Sequence, residues 1–319
     1  MDTPQWPKLL TDSWTDTRET FHMWTQIVGK IQMVGTPLVN HWWNVTFDVT
    51  ARGLGTRLIP YHGRGFDMEF DFLDQQLVLR CTDGGRATVA LEPKTVADFF
   101  AETLDALKKL DVGAEIIPAP NEVEPAIPFA EDTEHKSYDA EAMRTFWAQL
   151  VQINRVFEYY RAWFVGKASP VQLFWGSLDL SVTRYSGRGA PPHTGSVPNC
   201  APFVMQEAES RENAAAGFWA GGTEGMFYAY VYPVPDGYAD AKVQPDGAHY
   251  DAELGEFVMP YEVVRESADP DATLLAFLDS TYAAAADLGR WDRKMLEENP
   301  DRLDRYIRAE RAELKKHPL

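Results

Sequence analysis

Three things are scarce in this chain. The first is cysteine: among 319 residues only Cys81 and Cys200 occur. They are far apart and match no zinc or dithiol spacing, so they read as two free thiols in a reducing compartment. The second is positive charge. Thirty Lys and Arg stand against 48 Asp and Glu, a formal charge of −18. Phosphate backbones are bound by clustered cations, and no such cluster precedes the C-terminus. This argues against nucleic acid and against anionic membranes as partners. The third is a long apolar run. None approaches the length of a membrane span, and Met1-Asp2-Thr3-Pro4 is not the basic start of a secretory signal. A soluble, cytoplasmic protein is expected. The sequence also lacks a phosphate-binding glycine loop, a dinucleotide fingerprint, a nucleophile elbow and a metalloprotease helix. Their absence disfavours nucleotide chemistry and serine hydrolysis.

Aromatic side chains, by contrast, are plentiful. They make up 13% of the chain, with ten Trp, and hydrophobic residues make up 45%. That suffices for a sizeable core and leaves material for an aromatic-lined pocket. One order of residues also recurs. Phe21, Val28-Gly29-Lys30, Thr36-Pro37, Trp43, Asp48 and Arg52 are echoed by Phe157, Val165-Gly166-Lys167, Ser169-Pro170, Trp175, Asp179 and Arg184. Each series later reaches a proline-led amphipathic helix, at Pro93 and Pro270. Such self-similarity predicts an internal duplication.

Periodicity assigns the elements. Asp16 and Glu19 resemble a capping box ahead of a helix burying Phe21, Trp24, Ile27, Val28 and Ile31. His41 to Arg52 alternates, which predicts a half-buried strand with Trp43 inward and Trp42 outward. Further strands are expected at Phe66–Phe72, Gln75–Cys81 and Arg86–Leu91, a helix after Thr95, and a short strand near Ala114–Ile117. The second series reads as a helix over Asp139–Phe164, a strand after Pro170, a long loop over Gly187–Pro202, a strand at Met226–Tyr232 and a helix from Pro270. The expected fold is α+β: internally duplicated helix–antiparallel meander–helix units with a pseudo-two-fold. The units are 1–118 and 137–290, joined by a Pro-rich linker at 119–136 and followed by a charged C-terminal helix in 291–319. Whether the sheets join or form two lobes stays open at this level.

Four constellations carry the functional expectation. The outward side of the two matched strands shows Trp42, Asn44, Asp48 and Arg52, then Trp175, Ser177 and Asp179. Rings give area and polar groups give orientation, as a ligand pocket needs. His22, Gln26 and Lys30 share a helix face close to His41. Imidazole carries protons near neutral pH, so His22 and His41 are the catalytic candidates. A His–Gln pair is a poor metal set, and no metal is assigned. Arg188 and His193 lie in the long loop, where Arg188 could clamp a carboxylate; Arg52 and Arg184 are the other anion-binding candidates. Tyr228, Tyr230 and Tyr232 share one strand face and suit a planar or sugar-like ligand.

The strings His22-Met23-Trp24-Thr25-Gln26-Ile27-Val28-Gly29-Lys30, Val39-Asn40-His41-Trp42-Trp43 and Phe174-Trp175-Gly176-Ser177-Leu178-Asp179-Leu180 resemble a bacterial family catalogued as domain of unknown function 5996. The resemblance covers nearly the whole chain. It implies no activity, cofactor or catalytic residue. Where that family carries a histidine two residues before Phe-Trp-Gly, this chain has Gln172, so no role for a histidine there is carried over.

Taken together, the residues suit an enzyme acting on a small organic molecule, anionic or aromatic, in a Trp/His/Arg-lined cavity between the repeats. A non-catalytic small-molecule-binding module and a protein-interaction module are the alternatives. No cofactor is indicated.

Overall fold

The computed structural model describes residues 6–9, 11–222, 224–298 and 302–316. The parts of the expected first unit and C-terminal helix that fall in 1–5, 10, 299–301 and 317–319 lie outside the described residues. The fold is α+β with antiparallel sheets.

The first half opens with α1 (Thr11–Gly35), whose Phe21, Trp24, Ile27, Val28 and Ile31 are all buried. Then follow β1 (Asp48–Val49), β2 (Gly53–Gly55), β3 (Ile59–Tyr61), β4 (Arg64–Asp71), β5 (Gln76–Cys81), β6 (Arg86–Ala90) and α2 (Val96–Lys109). The sheet order is β1-β2-β4-β5-β6, with β3 also on β4. Period-two alternation in β4 buries Phe66, Met68 and Phe70 on the helix side. Phe21 meets Phe70 edge-on at 5.1 Å, and Trp24 stacks on Phe99 of α2 at 4.5 Å. Thr95 caps α2 by accepting from the Asp98 N–H.

The second half opens with α3 (Ala140–Ala162), capped by Asp139. It continues with β7 (Gln172–Phe174), β8 (Asp179–Gly189), α4 (Phe203–Ala208), β9 (Arg211–Trp219), β10 (Met226–Tyr232), β11 (His249–Asp251), β12 (Glu256–Pro260), α5 (Tyr261–Arg265) and α6 (Pro270–Leu288). The sheet order is β11-β12-β10-β9-β8-β7. Asp269 caps α6, with Pro270 in its first turn. The short α7 (Arg293–Leu296) and α8 (Arg302–Lys316) close the chain. Among the described residues no helix is long and apolar enough to cross a membrane.

The two sheets meet edge to edge. Phe47 and Leu173 exchange both backbone hydrogen bonds, each at 2.9 Å, beside β1 and β7. One buried cluster runs through both halves. The Pro-rich segment is packed against this body. Gln26 accepts from the Asn121 N–H at 2.9 Å and donates to its carbonyl at 2.7 Å, and Phe129 is fully buried.

The expected strand over His41–Arg52 is reduced to Asp48–Val49. His41 and Trp42 sit at φ 58° and 61°, in the left-handed region, so the chain turns where alternation predicted extension. Trp42 and Trp43 are consequently both half-buried, not one inward and one outward. The strand after Pro170 is likewise broken, by a turn at Trp175–Leu178 between β7 and β8. Trp43 therefore precedes β1, whereas Trp175 lies in a hairpin turn, and the Trp-to-Arg spacing does not mark equivalent positions. Ala114–Ile117 is irregular. The β9 strand was not predicted, because Ala214-Ala215-Ala216-Gly217 has poor strand propensity.

Candidate functional site

Alternation along β8 sends Leu180, Val182 and Arg184 inward and turns Asp179, Ser181, Thr183 and Tyr185 outward. On β9 the outward residues are Asn213, Ala215, Gly217 and Trp219; on β10 they are Tyr228, Tyr230 and Tyr232. Register sets Thr183, Ala215 and Tyr230 side by side, and likewise Ser181, Gly217 and Tyr228. These side chains floor a cavity of about 640 Å³. Its walls come from His41 and Trp43, from Glu122, from α4 through Met205 and Ala208, from the preceding loop through His193 and Val197, and from Glu256 on β12.

Small residues on the middle strand create the floor's shape. A Cβ on Gly217 would stand 2.3 Å from the Tyr228 ring. Glycine therefore lets Tyr228 lie across β9, where its hydroxyl donates to the Asp179 carboxylate. Tyr230 stacks beside Tyr228 at 6.2 Å and donates to Glu209 at 3.1 Å. Glu209 also accepts from Asn213 Nδ2 at 2.6 Å. Tyr232 donates to the Pro191 carbonyl at 3.0 Å and packs on His193, ring to ring at 5.0 Å.

Four carboxyl groups line this space: Glu122, Asp179, Glu209 and Glu256. Desolvation raises all four above the usual carboxylate range. Asp179 reaches about 7, pushed by desolvation and by Glu122, with the Tyr228 hydroxyl pulling the other way. Glu256 also reaches about 7, through desolvation and the charges of Asp179 and Asp251. Asp179 keeps some solvent contact through the cavity, yet protein surrounds it densely. No Lys or Arg lines the cavity among the described residues. Nor do those residues hold a group of three His, Cys, Asp or Glu that could bind a metal ion.

His41 closes one end. Its ring nitrogen Nδ1 lies 2.8 Å from the Ala208 carbonyl, which can only accept, so Nδ1 carries the proton. Nε2 then accepts from the Lys167 ammonium at 2.6 Å. Burial, followed by the nearby Lys167 charge, lowers the imidazole pKa. Lys167 stands over the Trp43 and Tyr185 rings at 5.3 and 4.7 Å.

The structure thus brings His41, Asp179, His193, Tyr228 and Tyr230 to one cavity and places the other candidates elsewhere. His22 lines a neighbouring hollow of about 370 Å³ that shares only Glu122, Ser177 and Trp219 with the first. Its Nε2 lies 3.0 and 2.8 Å from the Trp175 and Gly176 carbonyls, and burial lowers its pKa to about 4. It is a neutral ring donating to backbone. Gln26 anchors Asn121. Trp175 is a core wedge: a Cβ on Gly29 would stand 2.2 Å from its ring, and its N–H donates to Val45. Trp42 packs on Phe203 and donates to the Val204 carbonyl.

The three arginines expected to bind an anion are occupied. Arg52 pairs with Asp71 at 2.5 Å and Asp74 at 2.8 Å in the β1–β2 turn, and Asp48 lies near Arg57 at 3.9 Å. Arg188 holds Glu212 at 2.5 Å and the Gly289 and Arg290 carbonyls. Arg184 is fully buried on the inner side of β8, boxed by Tyr160, Trp163, Phe164 and Tyr282. Alternation with Leu180 and Val182 places it on that inner face, where no ligand in the cavity can meet it.

A family of unknown function, DUF5996, matches residues 6–298. The chain belongs to that family. No curated protein and no solved structure matches it. The family covers both halves, so the cavity, the sheet junction and the hollow beside His22 all lie within it.

Sequence reasoning missed Glu122, Glu209, Asn213, Glu256 and Trp43 as cavity residues. Ser181 and Thr183 continue the Asp179 alternation and were within reach. The alternation of Asn213, Ala215, Gly217 and Trp219 was a signal too, masked by low strand propensity. Glu122 and Glu256 carry no local signal, because distant segments bring them to the cavity.

Proposed function

We propose that the protein binds a small organic molecule in the cavity on the outer face of the second sheet. The single observation that carries this reading is the floor itself. Tyrosines aligned in register over Ala215 and Gly217 are held by carboxylates and floor a half-open cavity of about 640 Å³, the size of a small-ligand site. An interaction surface for another protein would be flatter and more exposed. Asp179 favours a catalytic version of the reading. A carboxyl near 7 beside a tyrosine hydroxyl suits proton transfer at neutral pH. His41 suits it less, since both ring nitrogens are engaged.

The reading carries a cytoplasmic setting, supported by the free thiols Cys81 and Cys200, and no nucleic-acid partner, supported by the −18 charge. Its test is a ligand-observed NMR screen of aromatic fragments spanning amines, alcohols and carboxylates. Binding should be seen with the wild type and lost in Ala215→Phe, which fills the floor. Fragments that bind both proteins equally, or none that bind the wild type, would refute it.

A further inference from the structure

The cavity's walls show an imbalance. Hydrogen-bond acceptors and negative charge accumulate there without the cations that would normally neutralise them. Among the described residues, none of Glu122, Asp179, Glu209 and Glu256 has an ion-pair partner. Ser177 donates to Glu122 at 2.6 Å, Tyr228 donates to Asp179, and Asn213 and Tyr230 donate to Glu209, all neutral groups. A second, independent observation points the same way. Asn213 is 2% exposed and lines the cavity, and its Oδ1 is buried with no donor. Buried acceptors are ordinarily satisfied, so the wall lacks donors as well as positive charge.

The aromatic floor adds a third element. Ring faces attract cations, most strongly when desolvated. The protein uses this attraction itself at the closed end, where Lys167 stands over Trp43 and Tyr185. At the Asp179 end Arg18 stands 5.9 Å from the Trp219 ring, while among the described residues the Tyr228 ring has no such occupant.

We infer that the ligand is a small organic cation, an amine with an aromatic or aliphatic body. Its ammonium sits between Asp179 and Glu256, and its body lies along the tyrosines of β10. This rests on the cavity being a binding site and names the chemistry it selects. The ammonium supplies the positive charge the walls lack and donates to both carboxyls. The groups facing Asp179 are Tyr228 from β10, Glu256 from β12 and Glu122 from the connecting segment, none of them basic. Because Asp179 and Glu256 hold their protons up to about pH 7, a cation is bound best above that pH and displaces protons as it enters. An anionic ligand has no counter-charge on the cavity wall.

Calorimetry on the full chain at pH 8 tests this with three probes of one shape: tryptamine as cation, tryptophol as neutral analogue and indole-3-acetate as anion. Tryptamine should bind at least tenfold more tightly than tryptophol, and indole-3-acetate should be weakest. Moving to pH 5.5 should weaken tryptamine severalfold and leave tryptophol unchanged. Asp179→Asn with Glu256→Gln should remove the tenfold preference while preserving tryptophol binding. Should that pair fail to fold in a melting control, Asp179→Asn alone, which keeps an acceptor for Tyr228, should remove most of it. Tryptophol or indole-3-acetate binding as well as tryptamine, with loss in Ala215→Phe, would overturn the cation and leave the cavity standing. A tryptamine preference that survives the substitutions would also overturn it. If none of the probes binds, both readings fall.

Discussion

The outer faces of the two sheets carry similar residues and treat them in opposite ways. On the first sheet each acidic side chain meets an arginine. Arg80 reaches Asp67 at 2.8 Å and Glu69 at 2.9 Å, and Arg52 reaches Asp71 at 2.5 Å. Burial pushes the Asp71 carboxyl up, but Arg52 and the Asp74 and Leu73 N–H groups outweigh it and hold the group below its ordinary range. On the second sheet Asp179 faces a tyrosine and two further carboxyls, and desolvation raises it to about 7. The arginine in that strand, Arg184, points inward to an aromatic box. One face is electrostatically complete, while the other is partly enclosed and left short of positive charge. A face of the first kind is a solvated surface. A face of the second kind is tolerable only if it works as a site, since unpaired buried charge costs stability.

Four sets of substitutions sharpen or break this contrast. The largest effects belong to the inner faces, where the sheets are alike. Trp24→Ala beneath the first and Phe227→Ala beneath the second should each cost roughly 3–5 kcal/mol in urea unfolding. Trp43→Ala, half-buried at the cavity, should cost clearly less. Equal losses at all three would contradict the placement of Trp43.

Next come Asp71→Asn and Asp179→Asn, whose effects should differ in sign. Asp71 has a lowered pKa, so its contribution is present at neutral pH and lost as pH falls below about 4. Removing its charge should cost roughly 1.5–3 kcal/mol at pH 7. Asp179 has a raised pKa, so the native state holds the proton more tightly than the unfolded chain. Its contribution is greatest near pH 4 and declines as pH rises to about 7. Asp179→Asn should therefore raise the melting temperature at pH 8 by a few degrees and leave it unchanged near pH 4. Destabilisation at pH 8 would break the contrast.

Gly217→Ala drives a methyl group into the Tyr228 ring and should cost roughly 1–3 kcal/mol through overpacking. Ligand binding should fall with it. A Gly55→Ala change on the first sheet meets the Thr50 methyl at 3.1 Å and the Met68 carbonyl at 4.0 Å, and should cost less. The smallest effect is expected at Arg80→Ala, where a half-exposed ion pair contributes at most about 1 kcal/mol and should be weakened by salt.

Much of the fold was legible in the sequence, and the reasons are local. The α2, α3 and α6 helices announce themselves by Thr95, Asp139 and the Asp269-Pro270 start, while β4, β5, β6 and β10 alternate cleanly. What misled were the turns. His41 and Trp42 adopt left-handed backbone, and Trp175–Leu178 reverse the chain, inside stretches whose residues alternate as a strand would. Those turns moved Trp42 and Trp175 out of the expected site, while Arg184 follows the inward parity of Leu180 and Val182. Asp179, Tyr228 and Tyr230 were found because each lies on a regular strand face. Glu122, Glu209 and Glu256 were not, because they reach the cavity from separate segments, the outermost two 134 positions apart. The repeated residue order did not supply a usable register, although both halves run long helix, meander, helix.

The most direct measurement is a carbon-detected NMR titration of the Asp179 carboxyl in protein labelled with ¹³C-aspartate, assigned through Asp179→Asn. A midpoint near 7, with Asp71 titrating below the ordinary aspartate range in the same sample, is the predicted result. An Asp179 midpoint at or below 4 would show that the second sheet's face is as well neutralised as the first, and would contradict the account.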